Sequence, residues 1–166
     1  MTEPAKRAAE CTAETFVPTR IVSGGQTGVD RAGLDVAIAL GIEHGGWCPP
    51  GRLAEDGTVP SRYDLTEHDQ SGYPPRTLQN VIDSDATLIL YEGRLGGGTL
   101  LTRRLTRKHH KPSVTIKLTT QQVDRARRWL SEIRPATLNI AGPRESTCPG
   151  IEVRAAEFLH QVFSMV

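Results

Sequence analysis

The chain has 166 residues, of which 37% are hydrophobic and 23% charged, and its formal net charge is +1. These values are typical of a globular protein about the size of one domain, and they exclude a collagen-like or wholly disordered chain. No apolar run approaches the roughly 20 residues that cross a bilayer, so we expect neither a membrane span nor export.

The charges are unevenly distributed along the chain. Residues 1–102 hold 8 Lys or Arg and 14 Asp or Glu, whereas residues 103–166 hold 12 and 5. The basic stretch at 103–128 either attracts a phosphate-bearing ligand or an acidic partner, or is the solvated face of two helices. We expect no nucleic-acid binding, because the chain as a whole is close to neutral and poor in aromatic residues.

In chain order, residues 1–18 are predicted to form a flexible tail and residues 19–166 a single domain. Strands are predicted at 20–23, near 46–48, and at 86–91, 112–118 and 137–141. Helices with apolar residues at helical spacing are predicted at 29–40, 76–84, from the 96–99 segment to about 110, around 123–133, and from 150 onward. This alternation predicts a Rossmann-like, doubly wound α/β fold, with a mainly parallel sheet and helices on both faces.

Three glycine-bearing loops fall at the predicted carboxyl ends of strands, which we name the first (24–28), second (96–99) and third (142–146) glycine loops. Ligands of such sheets bind outside the carboxyl ends of the strands. Glycines let the backbone approach an anion, and helix N-termini offer it free N–H groups. Neither G-x-G-x-x-G nor G-x-x-x-x-G-K-[ST] is present, which disfavours a dehydrogenase or an ATPase. We therefore expect an anion site.

A long loop of about 25 residues is predicted after the short second strand, and such loops are usually functional or disordered. Trp47 is expected either to stack on a planar ligand or to lie half-buried in the core. Glu55 and Asp56 are expected either to act as an acid and base or to hydrogen-bond a ligand. The alternative is a structural role, as caps or as salt-bridge partners of Arg52 or Arg62.

Two further features have plain structural interpretations. Thr27 and Asp30 have the spacing of a helix capping box, so we interpret Asp30 as a cap. The cysteines Cys11, Cys48 and Cys148 match no disulfide or metal pattern. We therefore expect no metal site and a reducing, cytoplasmic environment.

Many of these segments resemble the molybdenum carrier family, the molybdenum-cofactor carrier proteins. In the first half of the chain the resemblance lies at 24–31 (GGQTGVDR), 45–49 (GGWCP), 51–52 (GR), 54–57 (AEDG), Pro60 and 62–63 (RY). In the second half it lies at 76–77 (RT), 80–81 (NV), 83–85 (DSD), 96–99 (GGGT), 138–139 (LN) and 141–146 (AGPRES). The matching segments extend over residues 20–163, nearly all of the chain except the tail.

The resemblance implies a Rossmann-like fold within the lysine-decarboxylase-like superfamily. It also implies a homo-oligomer, a tetramer or a dimer, that holds the molybdenum cofactor (molybdopterin) without changing it chemically. Molybdoenzymes or cofactor-synthesis proteins are then the expected partners.

Hydrolases of the same superfamily carry a motif similar to P-G-G-x-G-T-x-E-E, in which Glu takes part in catalysis. The corresponding segment here, 95–102 (LGGGTLLT), lacks the Pro and contains no carboxylate. Without that Glu, no acid or base is evident for breaking a glycosidic bond. We therefore expect a non-catalytic carrier. The alternatives are a phosphoribohydrolase-like, nucleotide-processing enzyme and a sensor of a nucleotide derivative.

The predicted ligand is the molybdenum cofactor, or else a nucleotide or phosphate, and no catalytic residue or metal ligand is predicted. The predicted binding residues come from the three glycine loops and the long loop. They are Gly24, Gly25, Gln26, Thr27, Gly28, Trp47, Arg52, Glu55, Asp56, Arg62, Gly96, Gly97, Gly98, Thr99, Arg144, Glu145 and Ser146.

Overall fold

Five parallel strands form the central sheet of the protein, for which a computed structural model describes residues 15–164. In chain order they are β1 (Arg20–Val22), β2 (Glu43–Gly45), β3 (Ala86–Tyr91), β4 (Ser113–Lys117) and β5 (Thr137–Ala141). Their order across the sheet is β2-β1-β5-β3-β4, with Ile21 beside Leu138 and Leu88 beside Ile140. Since β1, β5 and β3 are adjacent, the three glycine loops that follow them leave the same edge of the sheet.

Five helices cover the sheet in two layers. They are α1 (Val29–Leu40), α2 (Tyr73–Ile82), α3 (Gly97–Lys108), α4 (Val123–Ile133) and α5 (Ile151–Phe163). Helices α1, α4 and α5 pack together on one face, and α2 and α3 pair on the other. The predicted Rossmann-like, doubly wound α/β fold with a parallel sheet is therefore confirmed.

The apolar stripes of the helices explain the main core. Every apolar position predicted for α5 is buried, from Ile151 to Val162, and packs against strand residues such as Leu88 and Ile140. Helix α1 packs tightly on β5, where a Cβ at Gly33 would lie 3.1 Å from the Cβ of Ile140. It ends at Gly41, whose φ of 69° is the left-handed conformation that glycine adopts at little cost.

The second strand of the central sheet, β2, lies just before the strand predicted near 46–48. The segment predicted as a strand near 46–48 comes after β2 and is not part of the central sheet. Gly46, with a φ of 125°, turns the chain out of that sheet. A side chain at Gly46 would also overlap the carbonyl oxygen of Ser23. Trp47–Cys48 instead pairs with Thr66–Glu67 in a separate two-stranded sheet.

The long segment between β2 and α2 is more ordered than the irregular loop that was predicted. Leu53–Ala54 and Gly57–Thr58 form a short antiparallel pair. A second apolar cluster holds the segment against α1, and it consists of Leu34, Cys48, Ala54, Val59, Tyr63 and Leu65. Since this cluster is separate from the main core, the segment is held in place by apolar contacts of its own.

The predicted tail, residues 1–18, lies largely outside the described residues, which begin at 15. Of its last four residues, Phe16 packs against the main core beneath the guanidinium of Arg134, 4.8 Å from the ring centroid. Pro18 is buried. None of the helices in the described part of the chain is long and apolar enough to cross a membrane.

Candidate functional site

A cavity of about 220 Å³ opens at the carboxyl edge of the sheet. Its walls come from the second glycine loop, the start of α2 and the first residues of the third glycine loop. Its polar and charged lining consists of Gln26, Asp30, Tyr73, Arg76, Thr77, Arg94, Thr99, Thr102, Arg144 and Thr147. The cavity therefore lies where a parallel sheet is expected to bind its ligand.

The second glycine loop forms the N-terminus of α3 on one wall of the cavity. Gly96 is the N-cap, and the amides of Gly97, Gly98 and Thr99 stand in the first turn, where no intrahelical acceptor exists. A Cβ at Gly96, Gly97 or Gly98 would meet nothing within 4 Å. The glycines therefore leave open space above free N–H groups at the positive end of the helix dipole, an arrangement that favours an anion.

Arg76 is the most deeply placed cation of the cavity. Its side chain is only 12% exposed, and its Nη1 donates to Oδ2 of Asp30 across 3.4 Å, a long hydrogen bond. Its Nε is buried and has no hydrogen-bond partner among the described residues. That Nε packs against Gly24, so the capacity of Arg76 to bind an anion rests on the long hydrogen bond to Asp30 and on the part of the guanidinium that lines the cavity.

Two further arginines and a tyrosine complete the charged wall. Arg144 is 41% exposed, and Arg94 is exposed on the loop before α3. The guanidinium carbons of Arg76 and Arg144 lie 5.5 and 5.6 Å from the centroid of the Tyr73 ring. The cavity thus combines three cations with one aromatic ring and has a strongly anion-attracting character.

Asp30 is a buried carboxyl group in the same cavity. It accepts the backbone N–H of Gln26 at 3.3 Å besides its contact with Arg76. Burial raises the pKa of Asp30 above its ordinary value, although the positive charge of Arg76 opposes that shift. The interpretation of Asp30 as a helix cap was wrong, because the N-cap of α1 is Gly28 and no side chain caps it.

The first glycine loop is occupied by internal hydrogen bonds. The amides of Gly25, Gln26, Thr27 and Gly28 donate to Ser23 Oγ, Asp30 Oδ2, Gln26 Oε1 and Glu152 Oε2, respectively. A Cβ at Gly24 would overlap the guanidinium of Arg76, and one at Gly28 would overlap the carbonyl oxygen of Pro143. Of this loop only Gln26 lines the cavity, so its glycines serve close packing in the described structure.

One solved structure is similar to this chain over nearly its whole length. It is described as a "Putative molybdenum carrier protein" from Syntrophus aciditrophicus SB, and it is 42% identical to this chain. The match covers 91% of this chain and 98% of that one, with a TM-score of 0.88. The model of the circularly permutated YpsA SLOG family matches residues 21–163. The chain belongs to this SLOG family. Among curated proteins, none matches.

The resemblance to the molybdenum carrier proteins is thereby confirmed, and in this SLOG-family chain the predicted binding residues fall into two groups. Gln26, Gly96, Gly97, Gly98, Thr99 and Arg144 line the cavity. The remaining predicted residues do not line it, and their roles in ligand binding stay predictions. Most of them make hydrogen bonds within the protein.

Trp47 and Arg52 hold the long segment in place. The indole N–H of Trp47 donates to Oδ2 of Asp83 at 2.8 Å, and its backbone N–H donates to Oδ1 of Asn80 at 2.8 Å. The Arg52 guanidinium donates to the backbone carbonyl groups of Val59, Pro60, Tyr63 and Leu65. Both side chains are therefore engaged in organising the segment on which they lie.

Asp56, Arg62 and Glu145 also bind neighbouring protein groups. Asp56 accepts two hydrogen bonds from the buried Arg31, at 2.5 and 2.8 Å, and this pairing lowers the pKa of Asp56. Arg62 lies 3.3 Å from Asp35. Glu145 accepts the first amides of α5, including that of Glu152 at 3.1 Å, and so caps that helix.

Four charged or aromatic residues of the cavity were missing from the predicted binding residues: Asp30, Tyr73, Arg76 and Arg94. Arg76 appeared only as part of a family-like segment, and Asp30 was assigned to capping. The available signal was a set of charged residues beside the glycine loops, in particular a carboxylate in the first turn after the first loop. Their convergence depends on tertiary contacts, such as the packing of Arg76 over Gly24.

Proposed function

We propose that the protein binds the molybdenum cofactor through its phosphate end and carries it without changing it chemically. The single observation that supports this most strongly is Arg76, a largely buried guanidinium that lines the cavity and whose hydrogen bond to Asp30 is long, at 3.4 Å. A phosphate beside it would gain charge-assisted hydrogen bonds from Arg76 and from the free amides of α3. The name of the structural relative from Syntrophus aciditrophicus points in the same direction.

The cavity volume suggests how such a ligand is held. About 220 Å³ is below the roughly 300–1,000 Å³ of typical small-molecule sites. In our proposal the phosphate therefore occupies the cavity, while the pterin extends outward past Tyr73, whose ring and neighbouring guanidinium groups offer a stacking surface.

Binding without catalysis is supported by the side chains that follow the second glycine loop. Leu101 and Thr102 stand where related hydrolases carry Glu, and α3 contains no carboxylate. Glu55, an alternative acid or base, is occupied by hydrogen bonds from Thr27 and Ser146. A carrier function requires neither group.

The test is equilibrium binding of purified molybdenum cofactor under anaerobic conditions, with GMP and AMP as competitors. We expect wild-type protein to retain the cofactor in excess nucleotide and Arg76→Gln to lose at least about tenfold in affinity, since charge-assisted hydrogen bonds contribute about 1.5–3 kcal/mol. Arg20→Gln is the matched control, because Arg20 lies at the start of β1, away from the cavity, and pairs with Glu43. Binding of nucleotide without retention of the cofactor would refute the carrier function.

A second candidate, a nucleotide-processing enzyme, is favoured by Asp30. This buried carboxyl group has a raised pKa and lies beside Arg76 in the cavity, the environment of a general acid or base. Turnover of a nucleoside monophosphate panel by wild-type protein, abolished in Asp30→Asn, would establish it. Binding of the same nucleotides without products would exclude it.

We further propose that the protein acts as a cytoplasmic homo-oligomer, a dimer or tetramer, that exchanges its cargo with molybdoenzymes or cofactor-synthesis proteins. Free thiols at Cys48 and Cys148 suit a reducing compartment. Exposed apolar side chains such as Val153 and Leu53, at 63% and 52%, are available for contacts between subunits. Light scattering coupled to size-exclusion chromatography tests the assembly, and a monomer at every concentration would refute it.

A further inference from the structure

Glu55 joins two of the glycine loops although it belongs to neither. It lies in the turn between Leu53–Ala54 and Gly57–Thr58. Its carboxylate accepts the hydroxyl of Thr27 in the first loop, and both the hydroxyl and the amide of Ser146 in the third, the amide at 3.1 Å. These contacts connect positions 28 and 91 residues apart in sequence.

The backbone of Glu55 strengthens the same junction. Its N–H donates to Oε1 of Gln26 at 3.0 Å, and that oxygen also accepts the amide of Thr27 at 3.0 Å. The hydroxyl of Thr27 in turn accepts the amide of Glu145 at 3.1 Å. The turn, the first loop and the third loop thus form one connected hydrogen-bond network.

The network reaches the cavity through Arg144. Nη1 of Arg144 lies 3.8 Å from Oε2 of Glu55, and the side chain of Glu55 is only 17% exposed. Arg144 lines the cavity, whereas Glu55 does not. Burial disfavours the charged form of Glu55, but hydrogen bonds from Ser146 and Thr27 outweigh it, so the pKa of Glu55 lies below its ordinary value.

We infer that Glu55 is a positioning residue for anion binding: through its contacts with the third glycine loop it holds Arg144 at the cavity, without contacting the ligand itself. The inference rests on the proposed function in one respect, that the cavity binds an anion. If Glu55 acted only as a nearby negative charge, it would repel an anion, and removing the charge would tighten binding. If Glu55 positions Arg144, removing the charge weakens binding.

The experiment uses inorganic phosphate as the probe, titrated calorimetrically into the full chain at neutral pH. We expect Glu55→Gln to weaken phosphate binding about five- to tenfold, because residues in one hydrogen-bond network are energetically coupled. Glu67→Gln is the control, since Glu67 accepts the amide of Gly51 on the same segment at 2.6 Å and lies away from the cavity. It should bind phosphate like the wild type.

A double-mutant cycle distinguishes positioning from a general structural role. If Glu55 acts through Arg144, adding Glu55→Gln to Arg144→Gln produces little further loss of affinity. An equal loss in both backgrounds would overturn the inference, as would tighter or unchanged binding by Glu55→Gln in an otherwise wild-type chain. Failure of the wild type to bind phosphate would refute the anion site, and with it both the proposed function and this inference.

Ser146→Ala provides a second variant that keeps the charge of Glu55. Ser146 is exposed, so its truncation should leave the fold intact. We expect about a two- to threefold loss of phosphate affinity, in the same direction as Glu55→Gln but smaller, because only one neutral hydrogen-bond donor is removed. Wild-type affinity in Ser146→Ala combined with tighter binding in Glu55→Gln would show that Glu55 acts only as a repelling charge.

Discussion

The first and second glycine loops are alike in composition, and both lead into a helix from the same edge of the sheet, yet they differ in what their backbone does. In the first loop, the amides of 25–28 donate to side chains of the protein. In the second, the amides at the start of α3 line the cavity and have no intrahelical acceptor.

The reason for glycine also differs between the two loops. At Gly24 and Gly28 a side chain would overlap Arg76 or the third loop, whereas at Gly96 and Gly98 it would enter open space. Glycine in the first loop permits close packing between parts of the same chain. Glycine in the second loop leaves open space at the wall of the cavity. A glycine-rich sequence therefore predicts close backbone approach, but the approaching group must be found in the structure.

The largest expected effect concerns the stability that the first loop provides. Gly28→Ala places a Cβ against the carbonyl oxygen of Pro143 at a φ of 84°. A positive φ and an overlap with rigid backbone together cost about 2–4 kcal/mol, so we expect the free energy of unfolding to fall by that amount. Urea denaturation measures it.

Gly41→Ala is the control for Gly28→Ala. Gly41 has a φ of 69°, but a Cβ there would meet nothing within 4 Å. Only the backbone term applies, and we expect a loss of about 1 kcal/mol. Equal losses for the two variants would show that packing between the first and third loops contributes nothing beyond the conformational cost.

The second loop should show the opposite pattern, a loss of ligand affinity with little change in stability. Gly98→Asp adds a carboxylate in the first turn of α3, where negative charge stabilises a helix by about 0.3–1 kcal/mol but repels an anion. We expect at least about a tenfold loss in phosphate affinity. Gly98→Asn has nearly the same shape without the charge and should lose much less. Equal affinity for the two variants would contradict an anion site at this loop.

Local pattern was sufficient for most of the fold. The apolar spacing in α1 and α5 identified faces that are buried, and the glycines after three strands identified the edge where the cavity lies. Both signals arise from neighbours within one or two turns of chain. The strand predicted near 46–48 is present at Trp47–Cys48, but it lies outside the central sheet because of the turn at Gly46, which packs against Ser23.

The composition of the cavity was less accessible, because it depends on contacts between distant residues. Arg76 reaches the cavity only because Gly24, far earlier in the chain, has no side chain. Glu55 was predicted either to act on a ligand or to have a structural role, and its hydrogen-bond partner Ser146 lies 91 residues away. No periodicity or spacing encodes such pairs, so the sequence predicted an anion site without predicting most of its charged groups.

Asp30 follows the first loop and lines the cavity beside the second, and the pH dependence of stability tests its contribution. Because burial raises its pKa in the folded protein above the unfolded value, its contribution favours folding at low pH and is lost as pH rises through the folded pKa. Asp30→Asn, which resembles the protonated form, should therefore be more stable than wild type at neutral pH. The difference should vanish as pH falls below about 4. A variant less stable than wild type at neutral pH would show that pairing with Arg76 outweighs burial.

The smallest expected effect is at Trp47, which tests whether the long segment contacts the ligand. Trp47→Phe keeps an aromatic ring but removes the N–H that donates to Asp83 at 2.8 Å, so we expect about 0.5–1.5 kcal/mol less stability. If the pterin stacks on Tyr73, affinity for the molybdenum cofactor should stay within about twofold of wild type, whereas Tyr73→Ala should lose several-fold. A larger loss of affinity in Trp47→Phe than in Tyr73→Ala would place the pterin against the long segment instead of against Tyr73.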